Sequence, residues 1–212
     1  MQTRSIIAAS ALAAASISCG SGSSYSSGGS ATVSGNLRGQ SLRPADAISK
    51  TLTISTGSGP FTVAAIVITN NGGLCQKLTA NQEPKNLQYL FFFLGDVNGA
   101  TGAITAPAAT GVFTLHNAAA NSAPPAHLAL VLYGSTNTSC KDADSTNGAS
   151  GTVTLTGIDN GSYTGSFDVN VLTQDANGNA SFGPEHITGT FSAKSCGGLS
   201  TLSSQTRTTS CI

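Results

Sequence analysis

The chain has 212 residues, of which only 8% are charged, and its nine Lys and Arg balance its nine Asp and Glu to a formal net charge of zero. The basic residues are scattered, so nucleic-acid binding, which needs clustered cations, is excluded as an expectation. With 39% apolar residues the body of the chain is too hydrophobic for intrinsic disorder, and 25 Gly with no Trp point to strands and tight turns under a surface of Ser, Thr and Asn.

At the N-terminus Arg4 supplies one positive charge before an apolar run over residues 6–17. About twelve residues suit the hydrophobic core of a secretion signal and are too few to span a bilayer. Residues 1–18 are therefore predicted to be a signal peptide. Residues 19–30, Cys19 followed by Gly and Ser around Tyr25, are predicted to be a flexible tether reaching roughly 20 Å. Residues 31–212 are expected to form one domain.

Strand-like runs follow between turn signals. The first two are residues 31–37 and 48–56, the second closed by Gly57, Gly59 and Pro60. Residues 61–69 are apolar on both faces, as a strand buried on both sides would be. Residues 73–81 place Leu74 and Leu78 at helical spacing and read as the one short helix. Residues 87–95, with the run Phe91, Phe92 and Phe93, read as another doubly buried strand. Further runs at 111–116, 127–134, 151–157, 162–171 and 187–193 bring the expectation to about nine strands in an antiparallel β-sandwich or barrel. The clearest hairpin turns at Asn160-Gly161, which tolerate positive φ. Beyond it Tyr163, Phe167, Val169 and Val171 alternate with polar residues, so one face is buried and the other wet. Residues 187–193 repeat this alternation and are expected to pair with that second arm.

Five cysteines leave one over once four are paired. Cys75, Cys140, Cys196 and Cys211 are predicted to form two disulfides, and three pairings are open. A polar C-terminal tail with nothing else to hold it favours Cys196 with Cys211, closing a loop for about 3 kcal/mol, and leaves Cys75 with Cys140.

Candidate chemistry is sparse. Asp142 and Asp144 share one loop, Asp175 with Asn177 and Glu185 forms another oxygen-rich stretch, and Asp96 to Gly99 a third. Such residues also build ordinary turns. His116, His127 and His186 share no metal-ligand spacing. No catalytic residue, metal site or cofactor is predicted. A hydrolase assembled from dispersed acids, Asp142, Asp144 and Asp168 among them, is kept as an alternative. Tyr89, Phe91, Phe92, Phe93 and Tyr133 are expected in the core; in a closed barrel the same five would line a cavity for a small apolar ligand, as in a lipocalin-like carrier.

Ser16-Ile17-Ser18-Cys19-Gly20 resembles the lipobox of bacterial lipoproteins, with Ser16 where a large apolar residue is usual. That resemblance implies acylation of Cys19 and a membrane anchor, and the absence of an acidic residue after Cys19 implies the outer membrane. A plain signal peptide releasing a soluble protein is the alternative. The hairpin around Tyr163 and Phe167, the stretch Gly189-Thr190-Phe191-Ser192-Ala193 with Cys196, Asp46-Ala47-Ile48-Ser49 and Leu74-Cys75 are similar to a group of small bacterial lipoproteins of unknown function. The resemblance implies an envelope protein with a non-enzymatic binding, adhesion or structural role, its partner an envelope protein, a glycan or a small apolar ligand.

Overall fold

A computed structural model of the chain describes residues 28–56, 59–116, 123–174, 180–203 and 210–212. The segment expected to be a signal peptide, Cys19, and Asp175 and Asn177 of the oxygen-rich stretch lie outside the described residues. The strands are β1 (Ser30–Ser34), β2 (Asp46–Thr56), β3 (Gly59–Thr69), β4 (Gln82–Glu83), β5 (Gln88–Val97), β6 (Ile104–Thr105), β7 (Gly111–Leu115), β8 (His127–Thr136), β9 (Asp142–Asp159), β10 (Ser162–Gln174), β11 (Ala180–Ser195) and β12 (Ser210–Cys211). One α-helix, α1 (Leu74–Thr79), and one 3₁₀ helix, Gly197–Ser203, complete the described elements. The all-β class with a single short α-helix is as the sequence predicts. Among the described residues no helix is long and apolar enough to cross a membrane.

The main sheet closes on itself. β2 pairs with β3, β3 with β5, β5 with β8, β8 with β9, β9 with β10 and β10 with β11, all antiparallel, and β11 returns to β2 through a short parallel pairing of Lys194 with Ile48 and Ser195 with Ser49. Of the two predicted architectures the chain therefore adopts the barrel. β7 fills the wedge where β8 and β9 diverge, pairing parallel to β8 and antiparallel to β9. β1 runs antiparallel to β11 beside the seam, and Gly29 N–H donates to the Ala47 carbonyl at 3.0 Å. The last residues of the expected spacer thus already belong to the fold.

Buried apolar side chains form one continuous cluster inside the barrel. Leu90, Phe92 and Leu94 point inward from β5, Ala64, Ile66 and Ile68 from β3, and Phe167, Val169 and Val171 from β10. The hairpin turn carries φ of 47° at Asn160 and 80° at Gly161, the conformation for which an Asn-Gly pair is suited. In the β10–β11 register Gly165 faces Phe191 and Phe167 faces Gly189. A Cβ on Gly165 would lie 2.8 Å from the Phe191 ring, and one on Gly189 would lie 2.5 Å from the Phe167 ring. The two Gly-x-Phe triplets are therefore reciprocal: each ring occupies the space the opposite glycine leaves open.

A second apolar layer lies outside the barrel. Ile48 and Leu52 of β2, Ala65 and Val67 of β3 and Phe91 of β5 face outward and pack with Leu74, Leu78, Leu87, Cys196 and Leu199. This layer explains why β3 and β5 read as apolar on both faces: one face fills the barrel and the other lies under α1 and the 3₁₀ helix. A six-residue helix is marginal alone, so α1 depends on tertiary support. Gly198 supplies part of it, because a Cβ there would come within 2.8 Å of the Thr79 nitrogen and hold the two helices apart.

Asp46 supplies another part. It is 1% exposed, and its Oδ2 accepts the Leu74 N–H at 2.9 Å, capping the start of α1 from a neighbouring strand. Burial pushes its carboxyl pKa up, against the opposite pull of nearby backbone N–H groups at Leu74, Ala47, Gly73 and Gly29. A folded-state pKa above the unfolded one means that the contribution of Asp46 to stability is complete at low pH and declines as pH rises through the raised value. The stability difference between wild type and Asp46→Ala, about 1–3 kcal/mol for an uncapped buried N–H, is accordingly expected to be larger at pH 3.5 than at pH 7. Urea unfolding at both pH values measures it, and a difference that grows with pH would contradict the assignment.

Candidate functional site: an aromatic pocket on the outer barrel face

The five aromatics expected to line one cavity do not share a face. Strand alternation sends Phe92 of β5 inward, where it is fully buried with its ring centroid 5.0 Å from that of Phe167, and Tyr133 of β8 joins the same inner core. Both are buried within the apolar cluster inside the barrel. Tyr89, Phe91 and Phe93, two apart on β5, point outward instead and form the floor of a pocket of about 160 Å³ between the barrel and its outer layer. The correction concerns side rather than residue type: three of the five line a pocket, but outside the barrel.

Phe91 and Phe93 stack with ring centroids 4.4 Å apart. Leu132 of β8, which is opposite Phe91, and Val67 of β3, also opposite Phe91, extend the floor. Leu74 and Leu78 of α1 form one wall, Pro84 and Leu87 another, and Leu52 and Ile54 of β2 the third. The polar minority consists of Tyr89, Glu83, Thr136 and Asp142. Thr136 is spent within the fold: its Oγ1 accepts the Leu87 N–H at 3.1 Å.

Neither disulfide belongs to the inner core: Cys75 and Cys196 pack in the outer apolar layer, and Cys211 stands opposite Glu83. Cys75 bonds to Cys196 and Cys140 to Cys211, which replaces the expected pairs Cys196 with Cys211 and Cys75 with Cys140. The physical reason is that the C-terminal tail is held otherwise than by a local loop. Its β12 pairs with β4, Ile212 N–H donates to the Glu83 carbonyl at 2.9 Å, and Cys140 lies within disulfide reach of Cys211. The Cys196 side chain is meanwhile buried under α1 beside Cys75. One bridge ties α1 to the residue that opens the 3₁₀ helix, and the other ties β12, the partner of the strand bearing Glu83, to the segment leading into Asp142. The disulfides themselves, as predicted for an exported chain, suit an oxidising compartment.

Tyr89 is held by a glycine. Gly134 stands directly opposite it on β8, and a Cβ there would lie 2.2 Å from the Tyr89 hydroxyl. Burial pushes the Tyr89 phenol up to about 12, with Asp142, Glu83 and Tyr133 adding to the shift. Since the unfolded value is near 10, the stability contributed by this group is complete below about pH 10 and lost as pH rises through about 12. A phenolate phase near pH 12 in the absorbance titration at 295 nm is expected to vanish in Tyr89→Phe. In Gly134→Ala, where the ring is displaced, it is expected to move toward pH 10; an unmoved phase would contradict the packing of Tyr89 on Gly134.

The remaining candidates are dispersed. His127 Nδ1 lies 2.8 Å from Asp96 Oδ1, and His186 Nε2 lies 2.8 Å from Asp168 Oδ1, both at exposed positions. Asn98 Oδ1 accepts the N–H groups of Ala100 and Thr101, so the Asp96 to Gly99 stretch is built as a turn. Glu185 accepts the N–H groups of Arg38 and Gly39. Asp142 lines the pocket while Asp168 pairs with His186 elsewhere on the barrel, so these two acids do not meet. Among the described residues no three His, Cys, Asp or Glu converge as metal ligands. The pocket itself was hidden from sequence reasoning, because its walls come from a six-residue helix, the segment between β4 and β5 and one face of β2, and the all-apolar run 89–93 has no period to say which side chains face it. Comparison with protein-family models, curated proteins and solved structures found no match to the chain.

Proposed function

We propose that this chain is an exported, envelope-tethered binding domain that captures a small apolar ligand, without catalysis, in the pocket on the outer face of its barrel. The observation that carries the reading is the pocket: about 160 Å³ over stacked Phe91 and Phe93, walled mainly by Leu, Ile, Val and Pro. A dry cavity of roughly 150 Å³ takes one benzene ring, so the ligand places a ring or a short branched chain here. The anchor in this proposal is acylated Cys19 with its Gly/Ser spacer, supported by the lipobox-like sequence and by four cysteines paired without it. An outer-membrane location follows the same proposal.

Titration with toluene, followed by amide NMR, is expected to shift Phe91, Phe93 and Leu132 and to leave Phe167 and Val169 unmoved. Ile54→Trp, which adds bulk to a wall, is expected to weaken that binding at least tenfold. Shifts confined to barrel-interior residues, or none at all, would remove the reading. For the anchor, metabolic labelling with a fatty acid is expected to mark the wild type and not Cys19→Ala; a Cys19→Ala protein that still partitions into detergent rules the anchor out.

A further inference from the structure

We propose that two copies of this chain pair through the open edge of β2, residues 51–55, as antiparallel strands related by a two-fold axis at Thr53. The inference is independent of the ligand reading above. Along β2 the backbone groups of successive residues point to opposite sides. Asn70 N–H donates to the Gln88 carbonyl, so the even-numbered residues of β3 bond to β5 and its odd-numbered residues bond to β2. The register partners of those odd-numbered residues are the even-numbered residues of β2. The odd-numbered residues of β2 therefore offer their N–H and C=O groups to the other side.

The first two of that series are satisfied. The Ala47 carbonyl accepts Gly29 N–H at 3.0 Å, and the Ser49 carbonyl accepts Cys196 N–H at 2.8 Å. β11 ends at Ser195, its last pairing with β2 being Ser195 with Ser49. Thr51, Thr53 and Ser55 come next, all exposed, and among the described residues no backbone group bonds to them on that side. Such a row of unpaired groups is a template for another strand, which monomers usually blunt with Lys, Pro or a bulge. None of these devices is present. Residues 51–55 hold no charge and no Pro, and the register with β3 is unbroken from Asp46 to Thr56. Lys50 is turned aside, its Nζ donating to the Gly197 carbonyl and to Ser200 Oγ, each at 3.1 Å.

The occupant follows from the pattern of the segment. A two-fold contact needs a surface complementary to itself, and Thr51-Leu52-Thr53-Ile54-Ser55 has the same alternation in both directions about Thr53. Antiparallel pairing there sets Thr53 opposite the partner's Thr53, Leu52 opposite the partner's Ile54 and Thr51 opposite the partner's Ser55. Apolar side chains meet on the outer face, hydroxyls meet on the other, and each unpaired N–H meets a carbonyl. A foreign strand would need this alternation; a second copy brings it. The formal net charge of zero adds no general repulsion between copies. Leu52 and Ile54 also form a wall of the outer pocket, and the partner's pair would continue that wall.

The test uses the full chain carrying Cys19→Ala, whose other four cysteines are bonded. Sedimentation is expected to show the mass moving from monomer to dimer as the chain approaches about 1 mM. Thr53→Pro removes an N–H on the open side and none from the β2–β3 ladder, and is expected to raise the dissociation constant at least about tenfold. Thr53→Cys on the same background is expected to form a disulfide-linked dimer under mild oxidation, because residues opposite each other in a hydrogen-bonded antiparallel pair have Cα atoms about 5.5 Å apart. Thr51→Cys and Ser55→Cys, each opposite the other's position, are expected to cross-link poorly alone and readily when combined in one chain. A mass that stays monomeric at about 1 mM, or equal cross-linking by the three single variants, overturns the proposal and leaves the pocket reading untouched. Trapping of Thr53→Cys in cells with a different protein, and not with its own copy, assigns the edge to a foreign strand and also overturns it. Should Thr53→Pro fail to fold, the cysteine series decides alone.

Discussion

Phe92→Ala is expected to lower the free energy of unfolding by about 4 kcal/mol, and Phe93→Ala, one residue along the same strand, by about 1–2 kcal/mol. Phe92 is fully buried inside the barrel, with ring centroids 5.0 Å from Phe167 and 6.1 Å from Phe191. Truncation there removes a large apolar surface and leaves a void that reciprocal Gly-Phe packing cannot collapse to fill. Phe93 lies on the outer face, half-buried against Phe91, and its truncation opens onto the pocket rather than into a sealed core. The functional signs are opposite: Phe93→Ala is expected to weaken toluene binding, and Phe92→Ala to spare it at concentrations where the variant is folded. Urea unfolding and the same NMR titration measure both, and a Phe93→Ala variant costing more than Phe92→Ala would reverse the assignment of faces.

Replacing Cys75 and Cys196 together by Ser is expected to cost about 4 kcal/mol, since the bridge spans 121 residues and cross-links of that length strongly restrict the unfolded chain. Its local effect is sharper than its global one. The helix α1 has six residues and rests on Leu74, Leu78, the Asp46 cap and this bridge. Hydrogen exchange is expected to accelerate at the α1 amides well beyond the general loss of stability, with the amides of β9, β10 and β11 slowed relative to them. Uniform acceleration across barrel and helix would show that α1 is no separate unit. Loss of Cys140 and Cys211, which span 71 residues, is expected to cost a similar amount and to release β4 and β12 instead.

These two cases mark what can be read from residues alone. The Asn160-Gly161 hairpin was legible because its turn residues are selected by positive φ and its arms alternate over many positions. The pairing of β10 with β11 was legible for the same reason. The Phe91, Phe92 and Phe93 run was not: three equal side chains carry no period, and only the tertiary layer over one face tells pocket from core. β3 and β5 looked doubly buried and are, but through a cap of α1 and the 3₁₀ helix rather than through the centre of a sandwich. The disulfides failed for a related reason. A local loop between Cys196 and Cys211 is the cheaper closure in sequence distance, yet Cys196 is already buried beneath α1 and β12 already paired with β4. Asp46 gave no signal, since one acid at the start of a strand reads as an exposed turn residue until its burial is seen.

The seam of the barrel has a consequence for the order in which the chain comes together. β1 and β2, the first strands, pair with β11, among the last, and Thr32 meets Thr190 across 158 positions of sequence. Each of these contacts waits until nearly the whole polypeptide is present, and closure across such separations is slow. A chain threaded N-terminus first through a narrow conduit would emerge with its opening strands unmatched and would stay pliable until the final third followed. The same topology that seals the finished barrel thus postpones its sealing to the far side of whatever the chain has crossed.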